Sequence, residues 1–313
     1  MIRFTSIFLI LTLLVFLSAA NIVAEVYSGV DENDLTEFSD RKPIDADKAD
    51  SWTKPLARID LPKQKPNETK LVVGQHLRVP VKIVYNGRVF RTLFELDTGA
   101  THTVVSQALA KKLGVHKTPF TGSGSLAGVK VFASAFKVSS IMVGPLERKN
   151  HQILILHSNQ EGWSKLKGMN ILGMDLLKDV PFSVDYQAGV IRWGNDPAHS
   201  TKYQINTRAV IKGVRVFLPV NIVYHGQTFS NLFVLDTGAA QTSVTPIFAE
   251  ILGVTDIRQG RWIKVSRIKA GPLELKDHRI AIWDTPDNLL GMDLLQYVNF
   301  TIDYQAGVIR WNL

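Results

Sequence analysis

The sequence predicts an all-β protein made of two similar lobes, each carrying one or two short helices. The tripeptide Asp-Thr-Gly occurs twice, at residues 97–99 and 236–238, and each copy ends an apolar run with strand-like alternation. The flanking residues repeat at the same offset of 139 positions. A second motif, at residues 170–177 and 288–295, recurs at an offset of 118. We therefore interpret the chain as two copies of one folding unit.

The chain length agrees with this division. Its 313 residues suffice for two domains of roughly 100 to 150 residues, each with its own core. The repeats predict a first lobe at residues 71–193, a linker at 194–209 and a second lobe at 210–313. Both copies run into Asp-Tyr-Gln-Ala-Gly-Val-Ile-Arg-Trp. The tryptophans that end these runs, Trp193 and Trp311, are predicted to close the two cores.

Residues 1–20 have the layout of a secretory signal peptide: a basic start, an apolar stretch and small residues before a cleavage point after Ala20. The apolar stretch is shorter than the roughly 20 residues that span a bilayer. Cleavage is therefore favoured over an uncleaved membrane tether through residues 4–20. We expect the protein to be exported, either secreted or periplasmic, or else anchored facing away from the cytoplasm.

Residues 21–70 are predicted to be a polar, acidic and largely disordered segment. Residues 31–50 hold many carboxylates and few large apolar side chains, so they cannot bury enough surface to fold alone. A spacer is one interpretation, and an acidic pro-segment that covers a basic body is the other. The chain carries a net charge of +8. Its basic residues are scattered without interleaved aromatic residues, so we expect no nucleic-acid partner.

Each copy begins with a predicted β-hairpin. Apolar residues alternate on both sides of Asn86-Gly87 in the first copy and of His225-Gly226 in the second. These dipeptides tolerate the positive φ angles of a tight two-residue turn. The second strand of each hairpin ends at the aspartate of Asp-Thr-Gly.

A short helix is predicted after each hairpin. In the first copy, Ser106 is a suitable N-cap for a helix over residues 107–113, which Gly114 ends. In the second copy, Thr245 supplies the cap and Pro246 the first helical position.

The copies differ between the helix and the second motif, where the second copy is 21 residues shorter (139 − 118). Only the first copy has the glycine-rich run at residues 121–128. Part of this run fits a dinucleotide-binding pattern, but it lacks the required strand-turn-helix setting. The eight histidines show no metal-binding spacing and are interpreted as surface or loop residues. We therefore expect neither a cofactor nor a metal.

Two carboxylates in matching settings indicate paired acid-base chemistry. When two such groups lie about 3 Å apart they share one proton, because both cannot ionise together. The pair can deprotonate a water molecule while it protonates a carbonyl oxygen, which cleaves an amide without metal or covalent intermediate. A duplicated unit supplies one carboxylate from each copy.

Residues 94–100 and 233–239 contain the two Asp-Thr-Gly motifs, and residues 171–173 and 289–291 are each two apolar residues followed by a glycine. In these motifs the chain resembles a retropepsin-like aspartic peptidase with two fused halves. The resemblance extends over residues 71–313. It implies closed β-barrel lobes related by a pseudo-twofold axis. It also implies an aspartic endopeptidase that acts on peptides or proteins as a monomer containing an intramolecular pseudo-dimer.

The resemblance assigns roles to individual residues. The catalytic pair would be Asp97 and Asp236. Thr98 and Thr237 would exchange hydrogen bonds between the lobes, and Gly99, Gly238, Gly173 and Gly291 would shape the surrounding loops. A single flap in the first lobe would close over the substrate, with Gly122, Ser123, Gly124, Ser125 and Gly128 as its candidate residues.

Two departures from the family pattern affect these expectations. Viral relatives carry charged residues near both motifs, where this chain has Thr101-His102 and Met174 in its first copy. Ala100 and Ala239 replace a Ser or Thr that often donates a hydrogen bond in pepsin-like enzymes. We therefore predict a less acidic optimum than that of pepsin. A protease-fold module that binds peptides without cleaving them is the alternative function.

Overall fold

The computed structural model describes residues 27–30, 36–39, 67–74, 76–116, 118, 120–126, 129–158, 168–194 and 204–312. The predicted signal peptide and most of the segment predicted to be acidic and disordered lie outside the described residues. Within that segment, β1 (Tyr27–Val30) and β2 (Thr36–Ser39) pair antiparallel.

The first lobe is built around the predicted hairpin of β5 (Leu77–Tyr85) and β6 (Arg88–Leu96). Asn86 and Gly87 form its turn with φ angles of 47° and 74°, as the sequence predicts. The other elements of this lobe are β3 (Glu68–Lys70), β4 (Val72–Val73), β7 (Val104–Val105), α1 (Gln107–Leu113), β8 (Phe120–Leu126), β9 (Val129–Lys137), β10 (Ser140–Val143), β11 (Leu146–Lys149), β12 (Gln152–His157), β13 (Ile171–Leu172), α2 (Met174–Leu177), β14 (Phe182–Asp185) and β15 (Val190–Trp193).

The second lobe repeats this arrangement from the hairpin of β18 (Arg215–Tyr224) and β19 (Gln227–Leu235). Its other elements are β16 (Gln204–Arg208), β17 (Val210–Lys212), β20 (Ser243–Val244), α3 (Pro246–Ile251), β21 (Trp262–Ala270), β22 (Leu273–Ile282), β23 (Asn288–Leu290), α4 (Met292–Leu295), β24 (Asn299–Asp303) and β25 (Val308–Asn312). Strand β21 returns to pair with β18, which closes a barrel.

The first lobe closes in the same way with interrupted strands. β9 and β10 together occupy the place of β21, and β10 pairs with β5. Backbone hydrogen bonds carry the pairing across the interruption, from Val138 N–H to His151 O and from Asn150 N–H to Ser139 O. The prediction of an all-β fold with tandem barrel lobes is confirmed.

A six-stranded antiparallel sheet joins the lobes in the order β16, β25, β24, β14, β15, β3. At its centre Ser183 pairs with Thr301, and their hydroxyls lie 2.7 Å apart. These residues occupy equivalent places in the two copies, so the centre of the sheet relates the lobes.

Both predicted helices begin at the expected caps, and the first also ends where it is predicted to end. The Ser106 hydroxyl accepts a hydrogen bond from Leu109 N–H at 3.1 Å, and Gly114 ends α1 with a φ of 82°. Thr245 caps α3 in the same way, with Pro246 in its first turn. These caps satisfy N–H groups that have no partner inside the helix.

The two repeat-ending tryptophans are buried, with exposed fractions of 1% for Trp193 and 0% for Trp311. Each indole N–H donates to a threonine hydroxyl at 2.9 Å, from Trp193 to Thr69 and from Trp311 to Thr207. Since a buried indole N–H needs an acceptor, each pair lets a large aromatic ring fill the core. None of the helices in the described residues is long and apolar enough to span a membrane.

Candidate active site

Asp97 and Asp236 each follow the last residue of a barrel strand, β6 and β19 respectively. A short parallel strand from the later motif lies beside each one, β13 next to β6 and β23 next to β19. Asp97 N–H donates to Leu172 O at 3.1 Å, and Asp236 N–H donates to Leu290 O at 3.0 Å. The later motif therefore fixes the backbone from which each carboxylate projects.

Each carboxylate is oriented by the loop that follows it. Oδ1 of Asp97 accepts hydrogen bonds from the N–H groups of Gly99 (2.9 Å) and Ala100 (2.8 Å). Oδ1 of Asp236 accepts equivalent bonds from Gly238 (2.9 Å) and Ala239 (3.0 Å). Each carboxyl group lies against the loop of the other lobe, since an added Cβ on Gly99 would overlap the carboxyl of Asp236 and one on Gly238 would overlap that of Asp97.

The two carboxyls differ in acidity although their loops match. Burial raises the pKa of both. The nearby charges of Asp236 and Glu95 raise the pKa of Asp97 further. Backbone N–H donors, the bond from Asp97 and the charge of Arg215 oppose the rise at Asp236. The pair therefore shares one proton, and burial together with the neighbouring negative charges favours that proton on Asp97.

Thr98 and Thr237, both fully buried, link the lobes beneath the carboxylates. Thr98 N–H donates to Thr237 Oγ1 at 3.1 Å, and Thr237 N–H donates to Thr98 Oγ1 at 3.0 Å. Each hydroxyl then donates across to the other lobe at 2.6 Å, from Thr98 to Leu235 O and from Thr237 to Leu96 O. These four bonds hold the two Asp-Thr-Gly loops in register.

Replacing Thr98 with Val should lower the free energy of unfolding by about 2 to 4 kcal/mol, because it leaves the buried Leu235 carbonyl and Thr237 N–H without partners. Thr98→Ser keeps the hydroxyl and should restore most of that loss. Urea denaturation measures both variants. Equal losses for Val and Ser would contradict this role of the hydroxyl.

Gly173 and Gly291 lie where the later motif passes the Asp loop. Added Cβ atoms there would overlap the backbone of His102 and of Gln241. The N–H of Gly173 donates to Thr103 Oγ1 at 3.3 Å, and the N–H of Gly291 donates to the hydroxyl of Thr242 at 3.0 Å. Only glycine permits this approach of two backbones.

A second hydrogen-bond network, present in both lobes, supports the loop that follows each Asp-Thr-Gly motif. Thr103 Oγ1 donates to Asp175 at 2.8 Å, and His151 Nε2 lies 3.1 Å from the same carboxylate. Burial acts to raise the pKa of Asp175, but the hydrogen bonds from His151 and Thr103 lower it below its usual value. An ionised Asp175 requires a proton on His151 Nε2, which fixes the tautomer.

The second lobe repeats this network with Thr242, Asp293 and His278. The distances to Asp293 are 2.7 Å from Thr242 Oγ1 and 2.8 Å from His278 Nε2. The interpretation of the histidines as surface or loop residues is wrong for His278, which lies in strand β22 with a side chain that is only 18% exposed. His151 lies in the loop between β11 and β12, as that interpretation allows, with a side chain that is 14% exposed.

A cleft of about 850 Å³ contains both aspartates. Part of its wall comes from the hairpin of β8 and β9, which includes Gly122, Ser123 and Gly124 of the predicted flap. Ser125 continues strand β8, whereas Gly128 lies outside the described residues. The second lobe contributes Thr285, Pro286 and Asp287 before β23. Both lobes therefore contribute to the wall of the cleft that contains the two carboxyl groups.

Residues 79–176 match the family model of aspartyl proteases. This part of the chain is a retropepsin-like aspartyl protease domain. The comparison with curated proteins gives no match. The matched range contains Asp97 and its whole loop, whereas Asp236 lies beyond it. Within the described residues, no group of three His, Cys, Asp or Glu side chains is placed to hold a metal ion.

Besides Asp97 and Asp236, the cleft is lined by three carboxyl groups that sequence reasoning missed, those of Glu95, Asp175 and Asp287. Glu95 lies two residues before Asp97 and is only 7% exposed. Burial and the charge of Asp236 raise its pKa to about 7, against an opposing effect of Arg78. The sequence does show one difference at this position: the second copy has the apolar residue Val234 where the first copy has Glu95.

Glu95 should make stability depend on pH. Its pKa is about 7 in the folded protein and 4.5 without the fold, so the folded state binds the proton more tightly. Stability from this group is complete below pH 4.5 and is lost as pH rises to about 7. Glu95→Gln should therefore stabilise the protein more at pH 8 than at pH 4.5, by up to about 3 kcal/mol. Denaturation at both pH values measures this, and an equal gain at both would contradict it.

Proposed function

We propose that the chain is an aspartic endopeptidase that hydrolyses peptide bonds with a water molecule activated between Asp97 and Asp236. The carrying observation is the pair of aspartates, one from each lobe, that matching loops hold in one cleft, where each carboxyl group lies against the glycine of the other loop. The family match to the first lobe supports the same class of activity.

The proposed reaction uses the difference between the two groups. Ionised Asp236 takes a proton from water, whose oxygen attacks the scissile carbonyl carbon. Protonated Asp97 donates its proton to the carbonyl oxygen, which gives a neutral tetrahedral diol. Asp236 then passes its proton to the departing nitrogen, and Asp97 takes one hydroxyl proton back as the C–N bond breaks. The pair ends in its starting protonation state.

Substrate binding follows from the shape of the cleft. An extended peptide, or an unfolded stretch of protein, would lie between the Asp loops and the hairpin of β8 and β9. Closure of this hairpin would exclude water and position the peptide. We propose that one flap from the first lobe suffices and that the protein acts as a monomer, because the chain itself contributes both aspartates. Export of the enzyme remains a proposal that rests on residues 1–20.

Incubation with a library of unstructured peptides tests the function, with product mass spectrometry as the readout. We expect internal peptide bonds to be cleaved and the cleavage to be blocked by a pepstatin-type inhibitor, whose hydroxyl mimics the tetrahedral diol. Persistent lack of cleavage across pH 3 to 8 together with no inhibitor binding would reject the proposal.

The pH profile should have its maximum at mildly acidic pH. The reaction needs one proton on the pair, and this proton leaves only as pH passes the pKa of Asp97, which burial and the charges of Asp236 and Glu95 raise well above its usual value. The alkaline limb should therefore lie well above pH 4. The profile of kcat/KM measures this limb, and a maximum near pH 2 would contradict the prediction.

A further inference from the structure

The cleft is asymmetric at the strand positions that precede the two aspartates. Glu95 is the last but one residue of β6 and Asp97 directly follows the strand, so with a spacing of two residues their side chains project to the same face. Both residues line the cleft. Val234 takes the equivalent place in the second lobe, where it is fully buried and apolar. The carboxyl of Glu95 therefore has no counterpart across the pseudo-twofold axis.

The hydrogen bonding of Glu95 is incomplete. Its Oε1 is buried without a hydrogen-bond donor among the described residues. The ring of His76 approaches to 2.8 Å through Nδ1 but lacks hydrogen-bond geometry. With a pKa of about 7 the carboxyl is largely protonated at mildly acidic pH, and a bound cation that donates to the buried oxygen favours the ionised form and satisfies that oxygen. The His76 side chain is 30% exposed, so it is able to turn aside.

The charges facing Glu95 favour a cation. Asp236 adds negative charge from the side of the dyad, while His76, just before β5, and Arg78, within it, oppose it. Among the residues that line the cleft, Arg215 is already paired with Asp287 at 2.8 Å. Asp175, a further carboxyl of the cleft, is bonded to Thr103 and His151. Oε1 of Glu95 has only the contact with His76, which is not a hydrogen bond.

We propose that Glu95 is a specificity-determining residue that selects substrates with a lysine or arginine side chain next to the scissile bond. This inference rests on the peptidase function proposed above. Two residues along a strand span about 6.6 Å, and a bound extended peptide advances about 3.3 Å per residue. The carboxyl of Glu95 is thus within reach of a long basic side chain at a position flanking the bond that the dyad attacks.

The overall charge of the protein does not account for such a preference. The chain carries +8, and long-range attraction therefore favours acidic peptides. A preference for a cationic residue has to arise from a local contact. A carboxylate that meets an ammonium or guanidinium in a water-poor site forms a charge-assisted hydrogen bond of about twice the usual strength.

The test uses pairs of peptides that differ only in lysine or its uncharged analogue norleucine, at each position flanking a known cleavage site. For one of these positions we expect wild-type kcat/KM to favour lysine by about tenfold or more, as one charge-assisted hydrogen bond provides. Glu95→Gln should reduce the lysine-to-norleucine ratio to about one, and Glu95→Val, which copies the second lobe, should invert it. Glu250→Gln is the matched control, since it removes an exposed carboxylate of α3 that lies outside the cleft; it should keep the wild-type ratio.

The ratio separates specificity from a general loss of activity. Cleavage of both peptides at equal rates by the wild type, or an unchanged lysine preference in Glu95→Gln, overturns the role of Glu95 and leaves the peptidase function intact. If neither peptide is cleaved, the peptidase proposal fails instead. Fluorescence anisotropy with the same labelled peptides then tests Glu95 directly, with tighter lysine binding by the wild type than by Glu95→Gln supporting it and equal binding overturning it.

Discussion

Replacing Asp97 with Asn should abolish peptide cleavage, lowering kcat/KM at least about a thousandfold. Asn has the shape of a protonated Asp and can keep hydrogen bonds from the backbone N–H groups of Gly99 and Ala100. The amide group of Asn is not acidic and cannot transfer a proton to the scissile carbonyl oxygen. Asp236→Asn should be equally inactive for a different reason, because it removes the group that takes a proton from water.

The loss of activity should come without a loss of stability. Burial and neighbouring negative charges raise the pKa of Asp97 in the folded protein, so this group destabilises the fold increasingly as pH rises above the ordinary pKa of an aspartate. Asn cannot ionise. The free energy of unfolding of Asp97→Asn at pH 7 should therefore equal or exceed that of the wild type.

A matched control separates the dyad from the removal of any carboxylate. Asp277 has a side chain that is 73% exposed and lies outside the cleft, so Asp277→Asn should retain wild-type kcat/KM. Kinetics on one peptide and denaturation at pH 7 cover all the variants. If Asp97→Asn kept kcat/KM within about tenfold of the wild type, the proposed acid-base mechanism would be wrong.

The repeat explains why so much of the fold could be predicted. Each turn and cap occurs twice with its own local signal: the dipeptides at residues 86–87 and 225–226 require positive φ angles, and Ser106 and Thr245 each cap a helix. The Asp-Thr-Gly loops follow directly from these hairpins. Local chemistry and long-range repetition agree, which is why the sequence specifies the two lobes so clearly.

The interrupted strands and the six-stranded sheet were harder to predict. The strands of the first lobe are interrupted at residues 138–139 and 150–151, where the alternation of apolar residues predicts continuous strands. Backbone hydrogen bonds between the two interruptions keep the barrel closed. The strand β3 lies at the end of a segment that composition assigns to an acidic spacer. It pairs with β15, a contact between residues more than 100 positions apart. Such a pairing has no local signal.

The supporting histidines were missed because two deletions concealed their correspondence. His151 and His278 are 127 residues apart, which is neither of the two motif offsets. The second copy lacks 12 residues before these positions, which reduces the offset from 139 to 127. It lacks 9 more residues after them, which reduces the offset to 118, the value of the second motif. When the segment between the two deletions is aligned separately, the two histidines fall at the same position. Each contacts the aspartate of the Gly-Met-Asp sequence in its own copy.

Glu95 could not be recognised from its sequence neighbours because it lies in an apolar strand where one face is expected to be solvated. Between Phe94 and Leu96, a glutamate reads as the outward residue of an alternating strand. The structure instead buries three consecutive residues there, because β13 pairs alongside and the cleft occupies the other face. Burial of a carboxyl depends on tertiary packing, so the strand pattern alone does not reveal it.

Substituting alanine for Gly99 or Gly238 should damage the dyad from the opposite lobe. A Cβ on Gly99 would overlap the carboxyl group of Asp236, and a Cβ on Gly238 would overlap that of Asp97. Each glycine therefore leaves free the space that the carboxyl group of the other lobe occupies. Because displacement by about 1 Å can lower a rate a hundredfold, we expect a loss of kcat/KM of that order for Gly99→Ala.

The same overlap should lower the free energy of unfolding of Gly99→Ala by about 1 to 3 kcal/mol, the usual effect of overpacking. Gly168→Ala is the matched control, since open space surrounds the position and its φ is not positive. This control should stay within about 0.5 kcal/mol of the wild type. Urea denaturation at pH 5 gives both values under conditions in which the dyad retains its shared proton.

A double-mutant cycle identifies the cause of the loss. Asp236→Ala removes the carboxyl that the new methyl group meets, so Gly99→Ala should destabilise an Asp236→Ala background by at least about 1 kcal/mol less than it destabilises the wild type. Coupling of this sign between residues on different lobes requires direct contact between the glycine of one Asp-Thr-Gly loop and the carboxylate of the other. Additive effects of the two substitutions would show that the alanine acts within its own loop, and the close approach of the two loops would then lose its proposed role in positioning the dyad.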